Sequence, residues 1–229
     1  MSGRSCCASM ADWLRRWVPR LAGASLADRV RAGLAAIAGI ALAALASGLV
    51  PLNTESFLLV APIGASAVLV FAVPASPLAQ PWAVLGGNVI SAVVGMIAAA
   101  LVPVPALAAG VAVGGAIIAM SLARCLHPPG GAVALTVVLG TPLLAAAGPW
   151  FPLLPVGLNS LALVLAGWAW HRVSGHSYPH RPPPAVAPLF HREDMDKALA
   201  EMGDSFDVAP EDLDALLNRA EAHARARVR

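Results

Sequence analysis

A long central stretch of this sequence contains almost no charge. Between Arg31 and Arg172 only two residues carry a fixed charge, Glu55 and Arg124. A charged side chain at the centre of a bilayer costs roughly 2.5–3.5 kcal/mol on insertion scales, so such a stretch predicts a chain that lies in lipid. The composition agrees, because 58% of the residues are hydrophobic, 12% are charged and the mean hydropathy is +0.72. We therefore expect an all-α, polytopic membrane protein.

The apolar stretch is divided into six segments by prolines and glycines. They are 32–50, 56–73, 82–102, 104–123, 130–147 and 150–171. The first, third, fourth and sixth approach the roughly 20 residues that a spanning helix needs. The second and fifth begin with the small-residue turns 62–67 and 129–134, which favour short or re-entrant elements. The prediction is four transmembrane helices plus two Pro/Gly-interrupted segments, with six full spans as the alternative.

The charged ends of the chain define its other parts. We expect an interfacial amphipathic N-terminus at 1–28, the membrane domain at 29–172, a Pro- and His-rich linker at 173–190 and a helical cytoplasmic tail at 191–229. Basic residues flank the membrane domain on both sides: Arg15, Arg16, Arg20, Arg29 and Arg31 before it, and His171, Arg172, His180 and Arg181 after it. By the positive-inside rule both termini are cytoplasmic, as in a multi-pass protein of the bacterial inner membrane.

The two halves of the membrane domain resemble each other weakly. Three pairs recur in the same order, about 70 residues apart: Trp82 with Trp150, Asn88 with Asn159, and Gly95 with Gly167. Internal duplication with an interrupted segment at matching places is the sequence pattern of many transporters. The alternative is coincidence among helices that are all rich in Ala, Gly and Leu.

A basic, helix-breaking cluster stands at the start of the fifth segment. It consists of Arg124, His127, Pro128, Pro129, Gly130, Gly131 and Ala132. The prolines end the preceding helix, and the glycines let the backbone approach a ligand closely. A helix that begins there would offer unpaired amides at Gly130, Gly131 and Ala132, which favours an anion-binding site. In the structural alternative, Arg124 caps its helix at the interface and His127 bonds a neighbouring carbonyl.

Other polar residues of the membrane domain are secondary candidates. Gly64 and Ser66 would supply a second set of amides and a hydroxyl group. Asn88 and Asn159 fit interhelical hydrogen bonds better than ligand contacts, although both remain candidate substrate residues. Glu55 fits a solvated loop, with a cation or proton site, or a pair with Arg124, as alternatives. No His or Cys spacing indicates a metal site, and no cofactor is expected.

The run Leu126-His127-Pro128-Pro129-Gly130-Gly131-Ala132, preceded by Arg124, closely resembles the HPP family of integral membrane proteins. The stretches 62–68 and 77–88 are also similar to that family, and the resemblance covers about residues 25–172. It implies four membrane-spanning helices. Plant chloroplast and cyanobacterial members are linked to nitrite transport, so it also implies a small-anion transporter. Many bacterial relatives continue into paired CBS domains, which this sequence lacks, so we do not expect nucleotide regulation.

These patterns favour a transporter or channel for a small monovalent anion, with nitrite as the family-implied candidate. His127 is the candidate for proton coupling, because histidine titrates near neutral pH. The alternative is a membrane-anchored sensory or interaction module that acts through its tail. An enzyme is not expected, since one His and one Arg fall short of a catalytic set. The expected partners are the bilayer and the anion, without nucleic acid; small residues such as Gly110 would permit homo-oligomers.

Overall fold

Every regular element that the structure describes is helical. The structure, a computed structural model, describes residues 25–48, 59–181, 192–202 and 207–228. The helices are α1 (Leu26–Gly48), α2 (Ile63–Ala72), α3 (Pro81–Leu101), α4 (Pro105–Leu122), α5 (Pro128–Leu139), α6 (Pro142–Ala147), α7 (Leu158–Ser174), α8 (Arg192–Met202) and α9 (Pro210–Val228). A π-helical turn, Pro152–Gly157, leads directly into α7. The predicted all-α class is confirmed.

Some predictions concern residues outside these ranges. They are the amphipathic N-terminal segment up to residue 24, Glu55, and the second half of the Pro- and His-rich linker, residues 182–190.

Among the described residues, four helical segments are long and apolar enough to cross a membrane: α1, α3, α4 and the segment Pro152–Ser174, which is kinked at Leu154 and includes α7. The other two predicted segments are interrupted. Helix α2 has 10 residues, a length of about 15 Å against a hydrocarbon core of about 30 Å. Helices α5 and α6 meet at a bend of 80°. The expectation of four long helices with two interrupted segments is confirmed.

The bend between α5 and α6 has a local cause. Gly140 ends α5 with a φ of 74°, a conformation that favours glycine. The Thr141 side chain then accepts a hydrogen bond from the Leu144 amide at 3.1 Å, which caps a new helix. Pro142 occupies the first position of α6, where its missing N–H costs nothing. The chain therefore stops one helix and starts another within three residues.

The packing of the helices follows an internal repeat. If α1, α2 and α3 are equated with α4, α5 and α7, each contact between these helices has a counterpart. The α1–α2 contact corresponds to α4–α5, the α1–α7 contact to α4–α3, and the α2–α7 contact to α5–α3. The two remaining contacts, α3–α7 and α2–α5, correspond to themselves. The weak sequence repeat thus has a structural counterpart.

Matching glycines make matching contacts. A Cβ on Gly95 of α3 would stand 2.8 Å from the carbonyl oxygen of Ala134 in α5. A Cβ on Gly167 of α7 would collide with the Val70 side chain of α2. Gly95 therefore lets α3 approach the short helix α5, and Gly167 lets α7 approach the short helix α2. These two contacts correspond to each other in the repeat, and small residues allow such close packing in membrane interiors.

The second half is inverted with respect to the first. The start of α1 and the end of α7 line one cavity, whereas Asn159 near the start of α7 donates a hydrogen bond to Ser47 at the end of α1. Helices α1 and α7 are therefore antiparallel. Tyr178, which follows α7, donates a hydrogen bond to Ala79, which precedes α3, whereas Asn88 within α3 bonds Ser160 near the start of α7. The counterparts α3 and α7 therefore also run in opposite directions, so the repeat has the inverted topology found in many transporters.

The close approach of α3 to α5 can be tested with Gly95→Ala. The added methyl group would meet the Ala134 backbone, so we expect the variant to lose about 1–3 kcal/mol of stability. Gly110→Ala is the matched control, because nothing lies within 4 Å of a Cβ built there. Thermal unfolding of the purified proteins in detergent measures the difference. Equal melting temperatures for the two variants would contradict the close α3–α5 contact.

Candidate functional site

His127 is the central residue of the predicted site, and it is fully buried at the residue before α5. Its Nδ1 lies 2.8 Å from the carbonyl oxygen of Leu78, and its Nε2 lies 2.8 Å from Oγ of Ser66. A carbonyl oxygen only accepts hydrogen bonds, so the proton of the neutral ring is on Nδ1. Nε2 then accepts a hydrogen bond from the Ser66 hydroxyl group.

Asn88 on α3 extends this network to α7. Its Nδ2 donates to Ser66 Oγ at 3.2 Å and to Ser160 Oγ at 3.0 Å. Ser66, Asn88 and Ser160 are fully buried. We call Ser66, Asn88, His127 and Ser160 the polar cluster. It joins α2, α3, α7 and the residue that precedes α5, which are the elements that form the contacts between the two repeats.

Two buried polar atoms beside the cluster have no hydrogen-bond partner among the described residues. They are Oδ1 of Asn88 and Oγ of Ser91. Ser91 follows Asn88 by three residues on α3, so the two side chains lie on the same face of the helix. A buried polar group without a partner costs about 1–3 kcal/mol, so unused hydrogen-bonding capacity is concentrated here.

Two glycines allow α3 to touch the start of α5. A Cβ on Gly87 would stand 2.6 Å from Cβ of His127 and 2.7 Å from the carbonyl oxygen of Cys125. A Cβ on Gly130 would stand 3.0 Å from the carbonyl oxygen of Gly87. The sequence predicts that Gly130 brings backbone close to a ligand, whereas in the structure it brings backbone close to α3. This contact places His127 within reach of Ser66.

Backbone amides in the turns at the start of α5 and of α2 already donate hydrogen bonds within the protein. The Gly130 amide donates to the His127 carbonyl at 2.8 Å, and Pro128 and Pro129 have no N–H. Gly131 and Ala132 follow in the first turns of α5.

The same is true at α2. The Gly64 amide donates to Ala61 at 3.0 Å and the Ser66 amide to Pro62 at 3.2 Å. The amides of Gly64, Ser66 and Gly130 therefore have acceptors within the protein, whereas the sequence pattern suggests unpaired amides in these turns. The polarity of the site comes from side chains.

Arg124 is not part of the polar cluster. Its side chain is exposed, and its backbone has a φ of 53° at the end of α4. The next amide, from Cys125, donates to the Met120 carbonyl at 2.9 Å, which is the hydrogen bond of a Schellman helix end. Arg124 thus occupies the left-handed position that glycine usually fills, and it ends the helix through its backbone.

Asn159 makes a separate contact at the matching place in the repeat. Its Oδ1 accepts a hydrogen bond from the Val60 amide at 3.0 Å. Val60 stands three residues before α2, in the segment that corresponds to the one containing His127. Both asparagines therefore make interhelical hydrogen bonds near the start of a short helix. Only Asn88 joins the polar cluster.

Several contacts of the site have little or no sequence pattern to reveal them. Ser160 is a lone hydroxyl residue in an apolar helix, next to Asn159, and that position was the available signal. No sequence signal indicates the contact of the Leu78 carbonyl. His171, expected at the interface, is buried, and its Nε2 lies 2.8 Å from the Val70 carbonyl.

Tyr178 holds the loop that carries the Leu78 carbonyl. Its hydroxyl group donates to the Ala79 carbonyl at 2.9 Å. Burial raises the pKa of the Tyr178 phenol, so this donor stays protonated at physiological pH. The loop is therefore fixed next to the polar cluster.

The sequence matches the family described as HPP, transmembrane region, over residues 22–179. The chain belongs to the HPP family. Two curated transmembrane proteins of Dictyostelium discoideum are similar to it, one 38% identical over 136 residues and the other 43% identical over 111 residues. These alignments cover 58% and 47% of this chain but only 43% and 39% of the relatives, so the HPP chain spans less than half of their length. No solved structure matches it.

The tautomer of His127 provides a direct test of the polar cluster. Because Nδ1 faces a carbonyl oxygen, we expect a neutral ring protonated at Nδ1 rather than the Nε2 form that predominates for free histidine. Side-chain nitrogen chemical shifts of the histidine-labelled protein distinguish the two forms, and the exposed His223 serves as the internal reference. An Nε2–H signal for His127 would show that the contacts with Leu78 and Ser66 are absent in solution.

Proposed function

We propose that this HPP protein carries a small monovalent anion across the membrane through the polar cluster, with nitrite as the first candidate. The observation that carries the proposal is the position of the cluster. Buried polar side chains are rare within membrane domains, and they mark pathways for ions and substrates. This cluster lies where two inverted repeats meet, which is where transporters of that architecture bind their substrates.

The hydrogen bonds of His127 suggest how anion binding is coupled to a proton. In the neutral ring the only N–H is used by Leu78, so nothing is left to donate to an anion. A proton that binds at Nε2 creates both a positive charge and a new N–H. Ser66, which donates to the unprotonated Nε2, can no longer do so, and an anion can take its place as the partner of this nitrogen and accept the new N–H. In this mechanism the proton and the anion bind together.

Coupling to a proton also removes the electrical cost that the membrane potential places on anion import. A negative-inside potential opposes the import of an anion by about 2.3 kcal/mol per charge per 100 mV. Import of one anion together with one proton moves no net charge, so this cost of moving charge against the potential is absent. The same pairing reduces the cost of burying a charge in the membrane interior.

The described surroundings of the cluster favour transport over catalysis. On the elements packed against His127 the other titratable or charged side chains are Arg124 and Cys125 before α5, and His171 and Arg172 on α7. None of them has a hydrogen bond with the cluster among the contacts of the described residues. An enzyme would need several converging acid, base or nucleophilic groups. We further propose that the protein is a multi-pass component of a bacterial inner membrane with both termini in the cytoplasm.

Nitrite flux into proteoliposomes tests the proposal. We expect saturable flux for the wild-type protein, none for His127→Ala, and about tenfold less for Ser66→Ala, which removes a hydrogen bond to the histidine. Nitrate, formate and chloride serve as competitors. Protein-free liposomes correct for the leak of protonated nitrite through lipid.

Ser121→Ala is the matched control for this experiment. The Ser121 hydroxyl group bonds to the Ile117 carbonyl on an exposed part of α4, so its loss leaves the polar cluster intact. Size-exclusion profiles show whether each variant is folded. A folded His127→Ala protein with wild-type flux would exclude the cluster as the transport site. No saturable flux of any of these anions in the wild type would reject the transport of these substrates.

A second candidate function, regulation through the tail, rests on contacts at one loop. The Ser76 hydroxyl group donates to the Asp207 carboxylate at 2.8 Å, and His180 Nε2 lies 2.7 Å from Asp212. The His180 amide also donates to the Gln80 side chain at 2.9 Å. The loop from Ser76 to Gln80 includes Leu78, the partner of His127. The position of the tail is therefore linked to the polar cluster through a few residues.

Asp212→Asn tests this link. The variant weakens the hydrogen bond between Asp212 and His180, so the tail should become more sensitive to limited proteolysis. We expect flux to rise at least about twofold, because the loop that holds His127 in its neutral, bonded form becomes more mobile. Asp214→Asn on the same helix is the control. Unchanged flux with a more exposed tail would show that the tail does not act on the site.

A further inference from the structure

A cavity of about 880 Å³ opens at the arginine-rich end of the membrane domain, and none of the four residues of the polar cluster lines it. It lies between α1, α2 and α7. Its deeper wall is apolar and includes Gly33 and Ala36 of α1, Phe71 of α2 and Trp170 of α7. A Cβ built on Gly33 meets nothing within 4 Å, so the space next to this glycine is open.

Charged groups occur only near the mouth of the cavity. Asp28, Arg29 and Arg31 come from the first turns of α1, and His176 follows α7. Asp28 accepts a hydrogen bond from the Ser25 hydroxyl group at 2.7 Å and faces Arg31 at 3.4 Å. Its negative charge is thereby balanced within the protein. The mouth keeps a net positive charge, mainly through Arg29.

The depth of these groups matches one kind of molecule. Helix α1 crosses the bilayer from its first turns, so Arg29 and Arg31 lie at the level of the lipid headgroups. Gly33 and Ala36 lie about 6–10 Å deeper along the helix, toward the acyl chains. An ion such as phosphate would leave the apolar wall unused. An uncharged lipid would leave the net positive charge at the mouth unbalanced.

We infer that this cavity binds one anionic phospholipid, with its phosphate at Arg29 and Arg31 and an acyl chain along Gly33 and Ala36. Basic recesses between transmembrane helices on the cytoplasmic side bind lipids by the same combination of charge and apolar contact. The site is independent of the polar cluster and of the proposed transport function. It would fix the packing of α1 against α2 and α7.

Gly33→Leu gives the sharpest test, because a Cβ at this position meets no protein atom within 4 Å and the leucine side chain would enter the space proposed for the acyl chain. The full chain is purified in detergent, supplied with equal amounts of phosphatidylglycerol and phosphatidylcholine, and examined by native mass spectrometry. We expect the wild-type protein to retain one phosphatidylglycerol preferentially and Gly33→Leu to lose this preference. Arg29→Gln should bind phosphatidylglycerol about fivefold more weakly, with phosphatidylcholine unaffected.

Two controls make the result specific. Ala41→Leu adds the same bulk at an exposed position of α1 that does not line the cavity, and it should bind lipid as the wild type does. Excess inorganic phosphate should not displace the lipid. Equal retention of both lipids by the wild type, or wild-type retention by Gly33→Leu, would overturn the inference. Displacement by phosphate would also overturn it, because the ligand would then be the ion alone.

Discussion

A histidine buried in a membrane domain must find a partner for each ring nitrogen, and much of this structure follows from that need. An unpaired polar group in hydrocarbon costs several kcal/mol. His127 meets this requirement with Leu78 and Ser66, which come from the loop before α3 and from α2. Both partners are distant in sequence, so the three segments can meet only if α3 and the start of α5 lie nearly in contact.

The small residues of the domain make that proximity possible. Gly87 and Gly130 remove the side chains that would separate α3 from the start of α5. Gly95 continues the same close contact farther along α3. In lipid there is no hydrophobic drive between helices, so close packing and buried hydrogen bonds must hold them together. The glycines and the polar cluster therefore act together: the glycines bring the helices close, and the hydrogen bonds fix their register.

The sequence predicts the long-range organisation well and the details of the site less well. The apolar lengths predict the four long helices, and the turns before α2 and α5 predict the interrupted ones. The importance of His127 follows from its isolation in an apolar stretch. Arg124 shows the limit of this reasoning, because charge and proximity along the chain cannot reveal that a left-handed backbone turns its side chain away. The amides of Gly64 and Gly130 show the same limit, because their hydrogen-bond acceptors depend on the conformation of the local turn.

The two halves of the repeat are alike in packing but different in chemistry. At the place where one half has His127, the other has Val60, whose backbone amide meets Asn159. If the halves were identical, an exchange of their conformations would produce inward-open and outward-open forms of equal energy. With an ionisable ring in one half and an aliphatic side chain in the other, this degeneracy is lost. In the proposed transport cycle the protein would therefore have a preferred resting orientation, and the protonation of His127 would change how strongly it is preferred.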